Sequence, residues 1–565
     1  MDLKWVLAID HSDEEVRKLA EILDVPHIIS QILIKRGVTD PEAAHRFFRA
    51  TLDQLYDPFL MQDMSVAIDR LRRAVLSDER VLIYGDYDVD GITAVSFLYL
   101  LLKELSVDAF YYIPDRQTEG YGLSDDGIKK AKEIGTDLII TVDCGVTGHA
   151  EIDLATSLGM DVIVSDHHEP GSVLPNAAAV LDPKRTDCQY PFKQLAGVGV
   201  AYKLGQGLLM RMGIDLSVLE KYLDLVAIGT AADIVPLVDE NRIFVKSGLE
   251  KLNESENLGL QTLLYAAGLT GKEIGTGQVV FVIAPRINAV GRMGDAERAV
   301  KLLTTDNPEE AREIAAVLEQ ENRSRKNVDE ETFRQALAYA EEEFDEHNTH
   351  SLVLHQEGWH TGVIGIVASR VVEKFYRPTI LISVEEGIGK GSARSIHGFD
   401  LYGALKECES LLVGYGGHKY AAGLTIRSEN IPAFKEQFEQ IARNKIAQDM
   451  LIPKLVIEAE LDLKEIDQSL VNLLKKFAPF GPQNMRPVFV SYNVTVTGTP
   501  TIVGKNHLRF KIQQNGRIFD VIGFNMGQLY YRLLPGAVNL DLAYVVEENE
   551  YMGRKSIQLR AKDLR

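Results

Sequence analysis

The chain has few cysteines and no long apolar stretch. Its 565 residues include three cysteines, Cys144, Cys188 and Cys408, an odd number without CxxC spacing. This argues against a disulfide framework and a thiolate zinc site, and it is typical of a reducing compartment. No apolar run approaches the roughly 18–20 residues that span a bilayer, and the N-terminal segment lacks the basic and apolar regions of a signal peptide. We therefore expect a soluble, cytoplasmic protein with no membrane partner.

Basic residues are also fewer than acidic residues. The 61 lysines and arginines face 82 aspartates and glutamates, which gives a formal net charge of −21 at pH 7. Nucleic-acid binding depends on lysine and arginine side chains that neutralise phosphates, so this total ordinarily argues against a polyanionic partner. A basic groove can still lie within an acidic protein, so local motifs are more informative than the total. The length suffices for three or four domains of roughly 100–200 residues each.

Three aspartates follow a predicted apolar strand in the segment VLIYGDYDVDG. Asp86, Asp88 and Asp90 stand at every second position, before a helix-like run that begins after Gly91. Alternate residues of an extended chain face the same side, so three carboxylates converge there. Like charges this close raise one another's pKa unless a counter-charge is present. A divalent cation is the simplest counter-charge.

Two further apolar strands end in acidic loops. LIITVDCG ends at Asp143. DVIVSDHHEP ends at Asp166, which is followed by His167 and His168. Helix-like stretches between the strands predict a parallel α/β sheet whose carboxyl edge brings the loops together, and Asp233 in LVAIGTAADIVPL can approach the same place. Carboxylates with imidazole and no thiolate suit Mn²⁺ or Mg²⁺, and the number of carboxylates implies two ions.

Each of these elements has a simpler interpretation when taken alone. A single strand-end aspartate such as Asp86 or Asp88 is equally well a helix cap or a turn residue. His167 and His168 by themselves would be a solvated pair in a loop. Acidic loops after several strands of one α/β segment, one of them with adjacent histidines, favour the metal site.

These segments resemble a known family. DYDVDG, VDCG, SDHHEP and GTAADIVPL occur in the order of the four motifs of the DHH phosphoesterase superfamily. Within it, the match is to the RecJ-type single-strand exonucleases, which GDYDVDG, IPDRQTEGYGL, PRINAVGRM, GSARSIHGFDL and GYGGHKYAAG resemble. The resemblance covers most of the chain. It implies a metal-dependent exonuclease that degrades single-stranded DNA from its 5′ end to mononucleotides, in DNA recombination and repair.

The resemblance also implies the site residues. The expected metal ligands are Asp86, Asp88, Asp90, Asp143, His167 and Asp233. Asp143 would bridge two ions and His168 would lie beside the scissile phosphate, so the expected catalytic residues are Asp143, His168 and Asp86. Tyr84 stands where many relatives carry the first ligating histidine, which leaves the ligand set of one ion open. The expected substrate-binding residues are Arg116, Arg286, Asn288, Arg292, Ser392, Arg394, His418 and Lys419.

Three of those residues are expected at the 5′-phosphate, namely Arg116, Ser392 and Arg394, which would explain an exonuclease rather than an endonuclease. Arg286 and Arg292 have an alternative role as structural salt-bridge partners.

A long helix and two more domains follow the acidic segment. From Pro308 to about Phe344 there is no glycine or internal proline, which predicts one helix of roughly 50 Å. A strand, helix and strand after it predict a second α/β domain with two glycine-rich loops, GKGSARS and VGYGGHKYAAG. From about Leu451, short alternating strands with an Asn515-Gly516 hairpin signal predict an OB-like barrel. Candidate strand contacts on that barrel are Lys505, His507, Arg509, Phe510 and Arg517. For any single aromatic among them, a place in the barrel core is the simpler interpretation.

We therefore predict two α/β domains, a parallel-sheet DHH domain and a DHHA1 domain, joined by a long helix and followed by a C-terminal OB-like β-barrel. The predicted ranges are 1–75 for an N-terminal cap segment, 76–305 for the DHH catalytic domain, 306–347 for the connecting helix, 348–448 for the DHHA1 substrate-binding domain and 449–565 for the OB-like domain.

Two other functions stay open at this point. A DHH phosphodiesterase for nano-RNA or cyclic dinucleotides would need no extended track for a strand, and the OB-like domain argues against it. A catalytically inert DNA-binding scaffold would have lost ligands, whereas every expected carboxylate is present. The expected partners are single-stranded DNA with a 5′ end, a helicase and a single-strand-binding protein, and we expect a monomer.

Overall fold

A computed structural model describes residues 3–8, 12–115, 118–293, 295–533, 539–551 and 553–565, apart from the side chains of residues 292, 293 and 551. The chain divides into a large unit, Leu7–Glu319 with Val456–Arg565, and a small unit, Met1–Val6 with Gln320–Leu455. Within the ranges given above, no helix combines the length and the apolar character needed to cross a membrane.

The described part of the N-terminal segment contains one strand and four α-helices. They are β1 (Lys4–Leu7), α1 (Asp13–Leu23), α2 (His27–Lys35), α3 (Pro41–Arg49) and α4 (Met64–Leu76). The side chains of Ser12 and Asp40 cap α1 and α3. Apolar side chains of α1 to α3, such as Ile29, share a hydrophobic core with the C-terminal barrel. By contrast, α4 packs its apolar face into the core of the first sheet.

The first sheet has five parallel strands in the order β3-β2-β4-β5-β6. The strands are β2 (Val81–Gly85), β3 (Ala109–Tyr112), β4 (Leu138–Val142), β5 (Asp161–Ser165) and β6 (Ala179–Leu181), and the helices between them are α5 (Val89–Glu104), α6 (Asp125–Glu133) and α7 (His149–Ser157). The predicted parallel α/β sheet is confirmed. Because β2 has β3 on one side and β4 on the other, the strand order reverses between β2 and β4, where open α/β sheets bind ligands.

Seven helices complete this part of the large unit. They are α8 (Gly197–Met212), α9 (Leu223–Ala232), α10 (Asp239–Asn253), α11 (Leu258–Ala266), α12 (Thr276–Gln278), α13 (Ala284–Met293) and α14 (Glu297–Thr304). Both α8 and α9 pack against α5, which directly follows β2. A π-helical turn, Val279–Ile283, joins α12 to α13.

The predicted long helix is confirmed as α15 (Pro308–Glu343), with 36 residues. At 1.5 Å per residue it is about 54 Å long. Its first residues, to Glu319, belong to the large unit and the rest to the small unit.

The small unit contains a mixed sheet in the order β10-β11-β9-β8-β7, in which only β7 and β8 are parallel neighbours. Its elements are β7 (Leu352–Glu357), α16 (Thr361–Phe375), β8 (Thr379–Glu385), β9 (Ile388–Arg394), α17 (Leu401–Lys406), β10 (Leu412–Gly417), β11 (Ala421–Arg427) and α18 (Ile431–Lys445). The second α/β domain is therefore confirmed.

The prediction of two glycine-rich loops in this domain is wrong. GKGSARS lies in β9, and VGYGGHKYAAG forms the β10–β11 hairpin. Packing within the sheet requires glycine at two positions of β9. A Cβ atom on Gly389 would lie 2.6 Å from Ile382, and one on Gly391 would lie 2.8 Å from Leu424.

The C-terminal segment forms a closed barrel. Its elements are β12 (Lys454–Ile457), β13 (Ala459–Glu460), α19 (Gln468–Lys475), β14 (Phe489–Val503), β15 (His507–Gln514), β16 (Arg517–Gly523), β17 (Leu540–Tyr551) and β18 (Arg554–Leu564). The order is β13-β14-β15-β16-β18-β17, and pairing of β14 with β17 closes the barrel. β12 instead pairs with β1.

The barrel confirms the OB-like prediction, and Asn515 and Gly516 form the hairpin turn with φ of 49° and 79°. Phe510 is 3% exposed and belongs to the barrel core, so for this residue the interpretation as a core aromatic is confirmed.

Candidate metal centre

The acidic loops meet at the carboxyl edge of the parallel sheet. Three carboxylates surround His167 in this cluster. The His167 Nε2 atom lies 3.0 Å from Asp143 Oδ1, 3.7 Å from Asp233 Oδ2 and 4.0 Å from Asp90 Oδ2. The imidazole and the carboxylates therefore face one small volume.

Three overlapping groups of these side chains are able to hold a metal ion, each with its ligand atoms within 4.8 Å of one another. They are Asp86 with Asp88 and Asp143, Asp90 with His167 and Asp233, and Asp143 with His167 and His168. The structure thus brings together all six expected ligands and His168. Asp143 and His167 each belong to two of the groups.

Asp88 and Asp90 are fixed by helix N-termini. Asp88 caps α5 and accepts hydrogen bonds from the backbone N–H groups of Asp90 and Gly91, at 2.9 and 3.1 Å. The cap interpretation therefore holds for Asp88, although it lies in the cluster as well. The Asp90 carboxylate accepts from the N–H groups of Gly197 and Val198, at 2.6 and 2.9 Å, where α8 begins.

Gly197 is a site residue that sequence reasoning missed. A Cβ atom at this position would lie 2.6 Å from Asp143 Oδ1, so only glycine fits beside that carboxylate. Asp143 itself has a left-handed backbone with φ of 60°. The small residues of the segment LAGVGVA were the available signal for this close approach.

His167 presents an unprotonated nitrogen to the cluster. Its Nδ1–H donates to the backbone carbonyl of Leu195 at 3.1 Å, which assigns the tautomer and leaves Nε2 as the acceptor. Burial, followed by the neighbouring charge of His168, lowers the pKa of His167 to about 3. The ring is therefore neutral, as a metal ligand must be.

The donor set fits a divalent cation. Three buried atoms, Asp143 Oδ1, His167 Nε2 and Asp233 Oδ2, have no hydrogen-bond partner among the residues that the structure describes. Buried polar atoms normally have partners. Burial and neighbouring carboxylates raise the pKa of Asp90 to about 7 and hold the pKa of Asp143 and Asp233 well above the usual range. Oxygen and imidazole donors of this kind suit Mg²⁺ and Mn²⁺.

Asp166 and Tyr121 orient His168, and neither was among the expected site residues. Asp166 Oδ1 accepts from His168 Nδ1 at 2.8 Å, and its Oδ2 accepts from Val146 N–H at 2.9 Å. Burial by itself would lower the pKa of His168. The hydrogen bond to Asp166 and the charges of the neighbouring carboxylates together outweigh burial, so the pKa of His168 is raised. The Tyr121 hydroxyl lies 3.2 Å from His168 Nε2. Asp166 was visible as a strand-end residue and Tyr121 lies in the segment IPDRQTEGYGL, but neither residue was assigned a role from the sequence.

Tyr84 does not belong to the cluster. Its buried hydroxyl lies 3.3 Å from Ser124 Oγ and donates to the Gly122 carbonyl at 3.4 Å. Its ring packs with Leu82 and Ile128 in a separate apolar cluster. Tyr84 is therefore a structural residue on the side of α6.

The substrate-binding residues expected in the large unit are described only in part. Arg116 and the side chain of Arg292 lie outside the described residues. Arg286 forms an ion pair with Glu319 at 2.7 Å and donates to the Val282 carbonyl at 2.7 Å, which is the salt-bridge arrangement considered above. Asn288 is half-buried on α13.

The expected residues of the small unit lie at one end of β9 and β11. Ser392 and Arg394 share a face of β9, with Arg394 Nη1 3.2 Å from Ser392 Oγ. They lie against α16, because a Cβ atom on Gly365 would come within 2.8 Å of Ser392 Oγ. His418 and Lys419 are exposed in the turn that leads to Ala421, which pairs with Arg394.

A five-stranded parallel sheet with this acidic cluster at its switch point defines a DHH-type phosphoesterase domain, and the comparisons agree. Residues 80–230 match the DHH family, N-terminal domain, residues 348–444 match the DHHA1 domain, and residues 457–563 match the RecJ OB domain.

The full chain is similar to characterised proteins of one family. It is 38% identical over 564 residues to the single-stranded-DNA-specific exonuclease RecJ of Bacillus subtilis (strain 168), and the match covers 99% of this chain and 70% of that protein. The chain belongs to the RecJ family.

Solved structures extend the likeness to the fold. The crystal structure of RecJ from Thermus thermophilus in complex with Mn²⁺ matches with a TM-score of 0.86 and 31% identity, over 100% of this chain and 79% of that one. The Mg²⁺ complex from the same organism matches with a TM-score of 0.80 and 29% identity, over 100% of this chain and 78% of that one.

Proposed function

We propose that this protein is a metal-dependent exonuclease that hydrolyses single-stranded DNA from the 5′ end and releases mononucleotides. The observation that carries the proposal is the cluster of buried, unpartnered donor atoms of Asp143, His167 and Asp233 at the switch point of the sheet. Membership of the RecJ family supports it, because its relatives are single-stranded-DNA-specific exonucleases. The cofactor is Mn²⁺ or Mg²⁺, which the solved relatives bind.

We infer that two ions bind and that the six expected ligands hold them, namely Asp86, Asp88, Asp90, Asp143, His167 and Asp233. When bound, such cations activate water for attack on phosphorus and offset the charge that develops on the phosphate oxygens. Asp143 would be shared between the ions. Leu195 and Gly197 keep the ligands in place, through His167 Nδ1 and the Asp90 carboxylate respectively.

His168 is the proposed group beside the scissile phosphate. Asp166 holds its Nδ1, and the raised pKa keeps the ring protonated to a higher pH than that of a free histidine. A protonated imidazole can donate a hydrogen bond to a phosphate oxygen or a proton to the departing oxygen. Asp86, Asp143 and His168 are therefore the proposed catalytic residues.

Recognition of the terminal phosphate is assigned to Ser392 and Arg394, together with Arg116. A guanidinium beside a hydroxyl on one strand face is suited to phosphate. His418 and Lys419 add exposed polar donors at the end of the neighbouring strand. Asn288, Arg286 and Arg292 are the proposed contacts from the large unit, although Arg286 would have to bind DNA while paired with Glu319.

We further propose that the protein acts in DNA recombination and repair as a cytoplasmic monomer, alongside a helicase and a single-strand-binding protein. These points rest on the resemblance to the family. The nano-RNA and cyclic-dinucleotide alternative is not favoured, because a RecJ-type OB domain follows the catalytic and DHHA1 domains.

A single experiment tests reaction and polarity together. One single-stranded DNA, labelled separately at its 5′ and 3′ ends, is digested in the presence of Mn²⁺, with Asp143→Ala as the control and a blunt duplex as the competing substrate. We expect immediate release of a labelled mononucleotide from the 5′ end only, with gradual shortening of the 3′-labelled strand. Duplex cleavage at the same rate, or release from the 3′ end first, would contradict the proposal.

A further inference from the structure

Ile234 combines a strained backbone with an exposed apolar side chain. Its φ is 63°, and it is the one β-branched residue with positive φ among the non-glycine residues that the structure describes. It follows Asp233, the C-cap of α9. Helix ends place glycine or asparagine at this left-handed position, because a branched Cβ clashes with the backbone there.

Burial does not compensate for this strain. The Ile234 side chain is 66% exposed, whereas Leu237, three residues further on, is 2% exposed and belongs to the core. Between them Val235 and Pro236 are half-buried, so the chain turns inward over these residues and leaves the Ile234 side chain in solvent. The apolar side chain therefore contributes little to the core of the large unit.

The turn around Ile234 is held by hydrogen bonds of the neighbouring backbone, one of them donated by a side chain. The Asp233 N–H donates to the Gly229 carbonyl at 3.0 Å, the Leu237 N–H donates to the Pro482 carbonyl at 2.9 Å, and Asn241 Nδ2 donates to the Pro236 carbonyl at 3.1 Å. None of these bonds involves the Ile234 side chain. Glycine would adopt the same turn without strain, so the fold does not require isoleucine here.

The position adjoins the cluster of acidic side chains. Asp233 Oδ2 lies 3.7 Å from His167 Nε2, and adjacent Cα atoms are about 3.8 Å apart. Asp143, with φ of 60°, is a second strained residue of the same cluster. Strained residues persist at functional sites, where the side chain has a role that the fold does not supply.

We propose that Ile234 is a substrate-contacting residue, which packs against the apolar face of the nucleotide whose phosphate is being hydrolysed. This inference rests on the proposed exonuclease function. The phosphate of a nucleotide is matched by the cations and polar groups of the cluster, whereas its deoxyribose and base present apolar surface. Ile234 is the exposed large apolar side chain directly adjacent in sequence to a proposed ligand, and it offers that surface a partner.

The test compares Ile234→Gly and Ile234→Val with the wild type. We expect Ile234→Gly to unfold at the same or a higher temperature, to bind Mn²⁺ with unchanged affinity by calorimetry, and to keep its kcat on single-stranded DNA. Its KM should rise about ten-fold, because the apolar contact is lost. Ile234→Val keeps most of the apolar surface and should restore a KM close to that of the wild type.

Ser106→Gly is the matched control. Ser106 is exposed, has φ of 60° and follows the C-terminus of α5. The acidic cluster lies at the N-terminus of α5, so Ser106 is a helix length away from it. Its replacement should change stability in the same direction as Ile234→Gly and leave KM unchanged.

Several results would overturn the proposal. An unchanged KM in Ile234→Gly, with or without a change in stability, would exclude the contact. A fall in Mn²⁺ affinity together with the rise in KM would mean that Ile234 acts through Asp233 instead. Failure of the wild type to digest single-stranded DNA is a different outcome, because it would remove the proposed function before any variant is measured.

Discussion

The two regions that carry the proposed site residues differ in how their polar groups are satisfied. In the large unit, Asp90, Asp143 and His167 are 1%, 2% and 6% exposed, and some of their atoms have no partner within the described ranges. In the small unit, His418 and Lys419 are exposed, and Ser392 and Arg394 are half-buried. The first region is a cluster of carboxylates whose ionised form needs a counter-charge. The second offers accessible polar and basic side chains to an anion.

This difference predicts a division of labour between the units. A buried cluster with fixed ligands acts on the reacting atoms, so damage to it should lower kcat. An accessible basic surface contributes binding that is similar in the ground state and the transition state, so damage to it should raise KM. The following changes test that division.

Asp143→Ala should have the largest effect. Asp143 belongs to two of the three groups that can hold an ion, so we expect kcat to fall about 10³-fold or more. Binding of a labelled oligonucleotide, measured by fluorescence anisotropy, should be retained. Full hydrolytic activity in this variant would refute the assignment of the metal centre.

Gly197→Ala should be nearly as damaging, although it adds one methyl group. The new Cβ atom would lie 2.6 Å from Asp143 Oδ1, so the carboxylate must move, and misplacement on this scale lowers rates about 100-fold. Mn²⁺ affinity should fall as well. Gly199→Ala is the matched control on the same helix, because its nearest contact would be a Leu195 side-chain atom at 3.3 Å. Equal losses in both variants would indicate general damage to α8.

Arg394→Lys should weaken the binding of DNA by the small unit and leave the metal centre of the large unit unchanged. Lysine keeps the charge but loses the planar pair of donors, so we expect KM for 5′-phosphorylated DNA to rise about ten-fold with kcat and Mn²⁺ affinity unchanged. DNA with a 5′-hydroxyl should show a smaller change. Lys390→Ala, an exposed position on the same strand, serves as the control. A fall in kcat without a change in KM would contradict the proposed division.

Stability should depend on pH and metal more strongly in the large unit than in the small unit. In EDTA, burial raises the pKa of Asp90 to about 7 from 3.8, so the folded state holds protons that the unfolded state has lost. The contribution of the Asp90 proton to the free energy of unfolding is complete below about pH 4, and it disappears as the pH rises through about 7. We therefore expect the unfolding temperature by circular dichroism to fall from pH 5 to pH 8, and Mn²⁺ at 100 times its Kd to add about 2.7 kcal/mol.

Tryptophan fluorescence provides an internal control for that experiment. Both tryptophans of the chain, Trp5 and Trp359, belong to the small unit. The unfolding transition seen by fluorescence should respond little to EDTA and pH. If the fluorescence and circular dichroism transitions shifted equally, the effect of metal and pH would not be specific to the large unit.

Asp182→Asn should have the smallest effect, and it should stabilise the protein, whereas the substitutions above impair catalysis or binding. Asp182 follows β6 at the same edge of the sheet, is fully buried, and has an Oδ2 atom without a partner among the described residues, but it belongs to none of the candidate metal groups found there. Burial raises its pKa to about 7. Removing the charge should stabilise the large unit by about 1 kcal/mol at pH 8, and this gain should shrink towards pH 4. A loss of nuclease activity would place Asp182 in the catalytic machinery.

The sequence was most informative where the chemistry is concentrated in consecutive residues. DYDVDG, VDCG and SDHHEP predicted the strands, their parallel order and the convergence of their carboxylates, because a strand followed by a polar loop is a local pattern. It was least informative for the glycine-rich segments of the small unit. Glycine in a turn and glycine beneath a packed side chain look alike in sequence, and Gly391 is of the second kind.

Several site residues could be identified only in three dimensions. Gly197 and Leu195 contact Asp143, Asp90 and His167 across intervals of some thirty to a hundred residues. Tyr121 reaches His168 from a loop whose sequence does not mark it as a partner of that histidine. Ile234 looked like an ordinary apolar residue until its backbone conformation and exposure were known.

The sequence by itself determined the class of domains, the carboxylates of the cluster and the long helix, because strand ends, charge spacing and helix propensity are properties of short segments. Only the tertiary structure decided which atoms remain without partners within the described ranges, that Arg286 is engaged with Glu319, and that Tyr84 faces away from the metal cluster. These are outcomes of packing between segments distant along the chain. Burial sets the energy of a charge, and burial is a property of the folded protein as a whole.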